Sequence, residues 1–144
     1  MSENTLNLLD ESTFKRLQRK VVSDLDFNDE NVLEKSTRIP TFYQRYLELY
    51  IDEIRALKKV SLTVDAKYGE LYKYYKYNDN HTWDNKAEII SQINTNKEYN
   101  EMRQEQVKRE FVVKYLEEVL DNIKRMSFSI KNFIDLKKFN AGMF

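Results

Sequence analysis

The sequence has no cysteine, one proline and two glycines in 144 residues. Without cysteine the chain forms no disulfide and has no thiolate for catalysis or metal binding. So few proline and glycine residues leave little to interrupt helices, and 33% charged residues favour helices with large solvent-facing surfaces. The length corresponds to one ordinary domain.

Long hydrophobic runs are also missing. No apolar run exceeds the three residues Phe111, Val112 and Val113, whereas a membrane-spanning helix needs roughly 18 or more. The N-terminal residues, Met1 to Asn4, lack the basic and then apolar order of a signal peptide. We therefore expect a soluble, intracellular protein.

The residue patterns of catalytic sites are absent as well. The single histidine, His81, has Asp79 and Trp83 nearby, but as a general base or metal ligand it needs partners that the spacing does not supply. The two glycines, Gly69 and Gly142, are too far apart for a glycine-rich phosphate-binding loop. We predict a protein that is not an enzyme and that binds no metal or cofactor.

The spacing of apolar residues predicts helices along most of the chain. After a loose tail, Asp10 or Ser12 caps a short helix that ends near Leu25. A polar connection follows, and Pro40 begins a long helix over about 40–77, because proline is pre-organised for the first helical turn. The apolar residues of this helix alternate in steps of three and four, which is typical of a coiled-coil seam. With one polar member, Ser61, they are Tyr43, Leu47, Tyr50, Ile54, Leu57, Ser61, Val64, Tyr68, Leu71 and Tyr75.

A polar corner over 78–82 separates this helix from the rest of the chain. We predict a short helix over 84–95 and a last long helix over about 97–139, with Gly142 ending it. The chain thus divides into four segments: 1–37 (tail, short helix and connection), 38–78 (heptad-patterned helix), 79–96 (polar corner and short helix) and 97–144 (C-terminal assembly helix).

The predicted fold is all-α, a long helical hairpin with coiled-coil-like seams. The last helix carries an apolar stripe too wide for one neighbour, and a hairpin alone leaves part of that stripe exposed. Self-association covers such a stripe, and repeated copies of one helical face close into a ring-like homo-oligomer. The predicted oligomerisation residues are Val112, Leu116, Val119, Ile123, Met126, Ile130 and Phe133.

Charge is balanced overall but unevenly distributed. Residues 55–78 contain six basic and two acidic side chains, and residues 122–144 contain five and one, so both segments are suited to phosphate. Between Tyr72 and Tyr77, four tyrosines alternate with two lysines. Aromatic rings stack on unpaired bases while lysines hold the backbone, which favours single strands over duplex. Part of this lysine–tyrosine cluster also fits a structural role, since Tyr68, Leu71 and Tyr75 hold seam positions.

The C-terminal stretch 128–142 resembles the ending of the phage recombination mediators of the UvsY family. A shorter match covers Lys58-Lys59-Val60-Ser61-Leu62, and the spacing between the two matches agrees with that family. The matching residues in the C-terminal stretch are Phe128, Ile130, Lys131, Asp135, Phe139, Ala141 and Gly142.

The resemblance implies a small helical protein that acts as a ring-like homo-oligomer, assembles through its C-terminal helix and works in the cytoplasm of the infected bacterial host. It also implies three kinds of partner besides the protein itself. These are single-stranded DNA, a RecA-like recombinase and a single-strand-binding protein, whose grip on DNA the mediator loosens while the recombinase loads.

One departure from the family pattern concerns DNA binding. In the family, basic residues shortly after the Lys58-Lys59 segment are associated with DNA contact, whereas this chain has Thr63 and Asp65 there. Our hypothesis is that the contact has moved one or two turns along the helix, into the lysine–tyrosine cluster. The predicted single-strand-binding residues are Lys58, Lys59, Lys67, Tyr72, Lys73 and Lys76.

Two other functions are compatible with the sequence. A structural coiled-coil adaptor or scaffold has the same helicity and self-association but no affinity for single strands. A small enzyme requires an activity for which the sequence offers no residues.

Overall fold

The computed structural model describes residues 7–78 and 85–142. This part of the chain contains four α-helices and no strand, which confirms the predicted all-α class. A π-helical segment, Tyr74–Asn78, continues the second helix. No described helix has both the length and the apolar character needed to cross a membrane. His81 and residues 79–82 of the predicted polar corner lie outside the described residues. The helices are α1 (Glu11–Leu25), α2 (Val32–Lys73), α3 (Lys86–Thr95) and α4 (Lys97–Asn140).

Asp10, one of the two predicted candidates, caps α1. Its carboxylate accepts hydrogen bonds from the Thr13 backbone N–H (3.2 Å) and from the hydroxyls of Ser12 (2.7 Å) and Thr13 (2.8 Å). The first of these satisfies an N–H that the first helical turn leaves without a partner. The bonds, that from Ser12 most of all, hold the pKa of Asp10 below its ordinary value. The helix ends at Leu25, also as predicted.

The second helix begins at Val32, so the prediction that Pro40 starts it is wrong. Asn28 and Asn31 set the earlier start, because each side-chain oxygen accepts a hydrogen bond from the other residue's backbone N–H, at 3.0 Å and 2.7 Å. Pro40 then lies inside the helix, where proline costs about 3 kcal/mol relative to alanine. The fully buried side chains of Phe42 and Tyr46 nearby help to offset that cost.

Polar contacts fix the junction of α1 and α2. The Lys35 ammonium donates hydrogen bonds to the backbone carbonyls of Ser23 and Asp24. These carbonyls belong to the last turn of α1, where a cation is favoured by the helix dipole. The Asp24 carboxylate in turn accepts hydrogen bonds from the Tyr46 hydroxyl (2.6 Å) and the Arg45 guanidinium (2.8 Å). α1 is therefore tied to the first turns of α2.

The chain divides into two compact units, unit 1 with residues 1–51 and 112–144 and unit 2 with residues 52–111. α1, the beginning of α2 and the second half of α4 form the core of unit 1. This core contains the whole set of predicted oligomerisation residues, six of them buried and Phe133 partly buried: Val112, Leu116, Val119, Ile123, Met126, Ile130 and Phe133.

The expectation that the α4 stripe is left partly exposed by one chain is therefore wrong. The N-terminal part of the chain supplies the cover that a two-helix hairpin lacks. Phe14 packs edge-on against Tyr115 at 5.0 Å between ring centroids, and Phe27 packs in the same way against Phe133 at 5.6 Å. The role of the stripe in self-association stays a prediction. Other apolar side chains of α4 are exposed instead, namely Val107, Phe111, Phe128, Leu136 and Phe139.

In unit 2, parts of α2 and α4 pack with α3 around a smaller apolar core. Its buried members are Val64, Leu71, Ile89, Ile93 and Tyr99. A polar pair lies within the same unit, where Gln106 Nε2 donates a hydrogen bond of 3.0 Å to the Ser61 hydroxyl. Gln106 is buried, so the one polar member of the heptad pattern has a buried polar partner.

The C-terminal end of α4 is also as predicted. Gly142 has a φ of +71°, the left-handed conformation that glycine adopts without a steric penalty. Its backbone N–H donates a hydrogen bond of 3.0 Å to the Phe139 carbonyl, which closes the last turn.

Candidate nucleic-acid interface

The lysine–tyrosine cluster lies in unit 2, at the end of α2 and in the π-helical segment that continues it. A π-helix has i→i+5 hydrogen bonds, which widen the turn and shift its side chains out of the α-helical register. Tyr74 is 50% exposed and Tyr77 is 71% exposed, whereas Tyr72 and Tyr75 are only partly exposed. The two most exposed rings of the cluster are thus residues that the predicted site leaves out.

Lys76 lies between two of these rings. Its Nζ is 5.2 Å from the ring centroid of Tyr77 and 6.0 Å from that of Tyr72, which is the range of a cation–π contact. Lys76 and Lys73 are both exposed. Charge and aromatic surface are therefore presented together, the combination that holds a phosphate beside a stacked base.

Tyr72 has a partly structural role. Its ring stacks on Tyr68 with centroids 6.4 Å apart and an angle of 27° between the planes, and Tyr68 in turn contacts Tyr99 at 6.1 Å. Tyr68 and Tyr72 both pack against the apolar core of unit 2. One face of the Tyr72 ring is therefore used inside the protein.

Lys67 is held by two carboxylates. Its ammonium lies 3.0 Å from Glu98 and 3.6 Å from Glu70, and its side chain is 14% exposed. The hydrogen bond to Glu98 is the main reason that the pKa of Lys67 is raised. The charge of Lys67 is thus compensated within unit 2.

Lys58 and Lys59 are exposed near the middle of α2. Thr63, one of the positions that departs from the family pattern, donates its hydroxyl to the Lys59 carbonyl at 3.0 Å. Lys59 and Lys73 share one side of the helix, since 14 residues correspond to almost four turns, and they are about 21 Å apart along the axis. The exposed positions between them on this side are Leu62, Thr63, Ala66, Gly69 and Glu70, and a Cβ added at Gly69 would meet no atom within 4 Å.

A groove of about 440 Å³ lies beside the cluster. Asn96 forms part of its wall and joins two helices, because its N–H donates to Ile93 at the end of α3 and its side chain accepts a 2.9 Å hydrogen bond from the Tyr99 N–H. A lysine, two rings and an amide around an open groove suit a flat group with polar edges. The lining residues are Glu70, Leu71, Lys73, Tyr74, Tyr75 and Asn96.

The fold and this surface define a class: a small helical protein that presents lysines and aromatic rings together, as proteins that bind unpaired nucleic acid do. The family model described as "Recombination, repair and ssDNA binding protein UvsY" matches residues 18–143. The chain belongs to the UvsY family, and the resemblance seen in its C-terminal sequence is confirmed.

Among the described residues no group of His, Asp or Glu is arranged to hold a metal ion.

The fold is similar to that of the bacteriophage T4 recombination mediator protein UvsY. The crystal structure in lattice type IV superposes with a TM-score of 0.79 at 16% identity, covering 88% of this chain and 98% of that chain. The structure in lattice type II gives the same TM-score and identity and covers 88% and 96%. At this identity the likeness establishes the fold alone. No curated protein matches the sequence.

Proposed function

We propose that this chain is a recombination mediator that binds single-stranded DNA and promotes the loading of a RecA-like phage recombinase in place of the single-strand-binding protein. It performs no catalysis and acts in the cytoplasm of the infected bacterial host. Membership of the UvsY family supports the proposal. The observation that carries it is the exposed surface of Lys73, Tyr74, Lys76 and Tyr77 at the end of α2.

The exposed rings and the lysines contact different parts of the DNA strand. Tyr74 and Tyr77 stack on unpaired bases, an interaction worth about 1–3 kcal/mol per base. Lys73 and Lys76 bind the adjacent phosphates and release counterions, so binding weakens as salt rises. Lys58 and Lys59 extend the contact along the same helix. Duplex is a poorer ligand because its bases are already stacked.

Lys67 and Tyr72 contribute to this surface from beneath it. Lys67 is neutralised by Glu98 and Glu70, and Tyr72 stacks on Tyr68 while it carries Lys76 above its other side. Both residues thus hold the end of α2 in position and are not the main contacts to the DNA strand. Their substitution weakens DNA binding by disturbing the cluster.

Self-association through α4 turns weak contacts into useful avidity, since linked sites raise the effective concentration of DNA without new contacts. The stripe from Val112 to Phe133 holds α4 in unit 1, and the exposed Phe128, Leu136 and Phe139 project from the same part of the helix. In our proposal these exposed side chains meet a second copy. A subunit that binds weakly on its own releases the strand readily to the recombinase.

The first experiment is an anisotropy titration of a labelled single-stranded oligonucleotide at low and moderate salt, with duplex as the competitor. The protein and a Lys73→Ala/Lys76→Ala variant are compared, with Lys108→Ala/Lys114→Ala as the control of equal charge change. Lys108 and Lys114 are exposed on α4. We expect the first variant, and not the control, to bind more weakly and with a flatter salt dependence.

The result also separates the alternatives. If both variants bind as the parent does, the lysine–tyrosine cluster is not the DNA site. If the parent oligomer binds no single strand at low salt, the structural scaffold becomes the better account. If it binds, a pull-down with the recombinase distinguishes a mediator from a general single-strand binder.

A further inference from the structure

The exposed side of α1 carries a second concentration of positive charge, in unit 1. Lys15, Arg16, Arg19 and Lys20 are four cations within six residues, and all four are exposed. The first 54 residues contain seven basic and eleven acidic side chains in total. The cluster is therefore hidden when charge is averaged over that stretch of sequence.

The four cations share one side of the helix. At 100° per residue they span about 140° of the helical circumference. The buried side chains of Leu17 and Val21 lie on the opposite side, and Phe14, next to them, packs against Tyr115. Because α1 is also tied to α2 through Lys35, Arg45 and Tyr46, its basic side is held in a fixed orientation on unit 1.

The stability of α1 does not account for this placement. Lys15 with Arg19 and Arg16 with Lys20 are like-charged pairs four residues apart, and such pairs destabilise a helix. The last turn of α1, where the helix dipole favours cations, contains none. Among the described residues, the Glu11 carboxylate lies 3.1 Å from Lys15, and the Asp10 carboxylate interacts electrostatically with Arg16. The concentrated charge that remains at Arg19 and Lys20 and is only partly compensated at Lys15 and Arg16 is suited to an anionic partner.

We propose that this basic face of α1 binds the phosphate backbone of the single-stranded DNA, as a second contact separate from the lysine–tyrosine cluster. The inference rests on the proposed function, because it concerns the same strand. No aromatic ring of α1 lies on this side, so the face offers no ring on which to stack a base. It contacts phosphate without regard to sequence or base, and the two arginines can each form paired hydrogen bonds to one phosphate.

Part of the basic face of α1 lies outside the segment that matches the UvsY family model, so its role has to be tested in this protein. The match to the UvsY family model begins at residue 18, so Lys15 and Arg16 precede it. Lys15 and Lys20 are about 7.5 Å apart along the helix axis. The face is therefore short and meets on the order of two phosphates, which predicts a change of about 1 to 2 in the slope of log affinity against log salt when it is neutralised.

The test compares two triple variants of the full-length protein. One is Arg16→Gln/Arg19→Gln/Lys20→Gln, in which glutamine keeps the helix propensity high. The other is Lys97→Gln/Lys108→Gln/Lys114→Gln, which removes the same charge from exposed positions of α4 outside the basic segment 122–144. Each is titrated over a range of salt with an oligothymidylate and with an abasic oligonucleotide of equal length. Circular dichroism and sedimentation show whether both variants remain folded and assembled.

We expect the α1 variant to bind both oligonucleotides about tenfold more weakly than the parent, with the same loss of affinity for each. The slope of its log affinity against log salt should also be lower. The control should bind as the parent does. The inference is wrong if the α1 variant matches the control. It is also wrong if the α1 variant keeps its DNA affinity and loses binding to polyglutamate, since the face then serves an acidic protein. A parent that binds neither oligonucleotide overturns the proposed function itself, a result distinct from both.

Discussion

The Glu53 carboxylate lies 3.4 Å from the Arg109 guanidinium inside unit 2, with Glu53 6% exposed and the Arg109 side chain 20% exposed. Arg109 also contacts Glu105 at 3.1 Å, on the more open side. Burial, the largest influence, raises the pKa of Glu53 above its ordinary value although Arg109 lowers it, and the charge of Asp52 adds to the increase. The ionised carboxylate is therefore compensated by the arginine but does not on balance favour the folded state.

Removal of Arg109 should lower the free energy of unfolding by more than removal of the Glu53 charge does. Arg109→Leu leaves a buried, unpaired carboxylate and should lower the free energy of unfolding by about 3 kcal/mol. Glu53→Gln leaves Arg109 paired with Glu105 and removes a desolvated charge, so its effect should stay within about 1 kcal/mol. Urea unfolding at pH 7 measures both. Equal losses in the two variants would show that the ion pair itself stabilises unit 2.

Glu53 also predicts a pH dependence. Because its folded-state pKa lies above the ordinary value of 4.5, the folded state binds the proton more tightly than the unfolded state does. The stability from this group is fully present below the unfolded pKa and is lost as pH rises through the folded pKa. Between pH 7 and pH 4, the unfolding free energy of the parent minus that of Glu53→Gln should increase as pH falls. A constant or decreasing difference would contradict the assignment.

Asp24 should be critical for the attachment of α1. Asp24→Ala leaves the buried Tyr46 hydroxyl and the Arg45 guanidinium without their shared acceptor, which should cost about 2–3 kcal/mol. Tyr46→Phe removes one hydrogen bond and leaves the other, so about 1 kcal/mol is expected. Gln44→Ala, a change of an exposed side chain on the same helix, should stay within about 0.5 kcal/mol. Chemical unfolding followed by circular dichroism tests this order.

Replacement of Pro40 should stabilise the protein. Pro40 lies in the ninth position of α2, where it removes a helical hydrogen bond. Pro40→Ala restores that bond but increases the freedom of the unfolded chain, which offsets part of the gain. The net increase should be about 2 kcal/mol, visible as a higher urea midpoint with an unchanged slope. No increase would mean that the helix is already bent to relieve the ring.

The exposed rings of Tyr74 and Tyr77 should determine the preference for bases. Tyr74→Leu/Tyr77→Leu should weaken binding to an oligothymidylate by roughly tenfold or more and change binding to an abasic strand little. Tyr74→Phe/Tyr77→Phe keeps both rings and should retain the affinity. Fluorescence anisotropy at one salt concentration distinguishes these outcomes. If the leucine variant loses both ligands equally, the rings support the surface rather than stack on bases.

The sequence alone is sufficient to predict the helices and those helix ends that nearby residues determine. Asp10 and Gly142 act locally, through a side-chain cap and a left-handed backbone, so their effects are visible in the sequence. The start of α2 is not, because the reciprocal bonds of Asn28 and Asn31 compete with the signal of Pro40. Phe42 and Tyr46, the largest fully buried side chains, fall outside the heptad pattern, since this part of α2 packs in the three-helix core of unit 1.

The candidate site shows a similar division. Composition and spacing indicate the lysine–tyrosine cluster, but which rings are exposed depends on the π-helical turn. The compensation of Lys67 by Glu98 is a tertiary contact that no spacing within α2 reveals. The cover of the α4 stripe likewise comes from α1 and the residues after it, which are distant from α4 in sequence. These are long-range properties, and only the packed structure contains them.

The π-helical segment makes the presentation of two tyrosines depend on a single residue. A π-helical turn contains one residue more than an α-helical turn. If residues 74–78 had α-helical geometry instead, Tyr77 would point in a different direction although every side chain of the site was still present. The extra residue of this turn therefore determines how the exposed rings are presented, with no difference in charge or aromatic content.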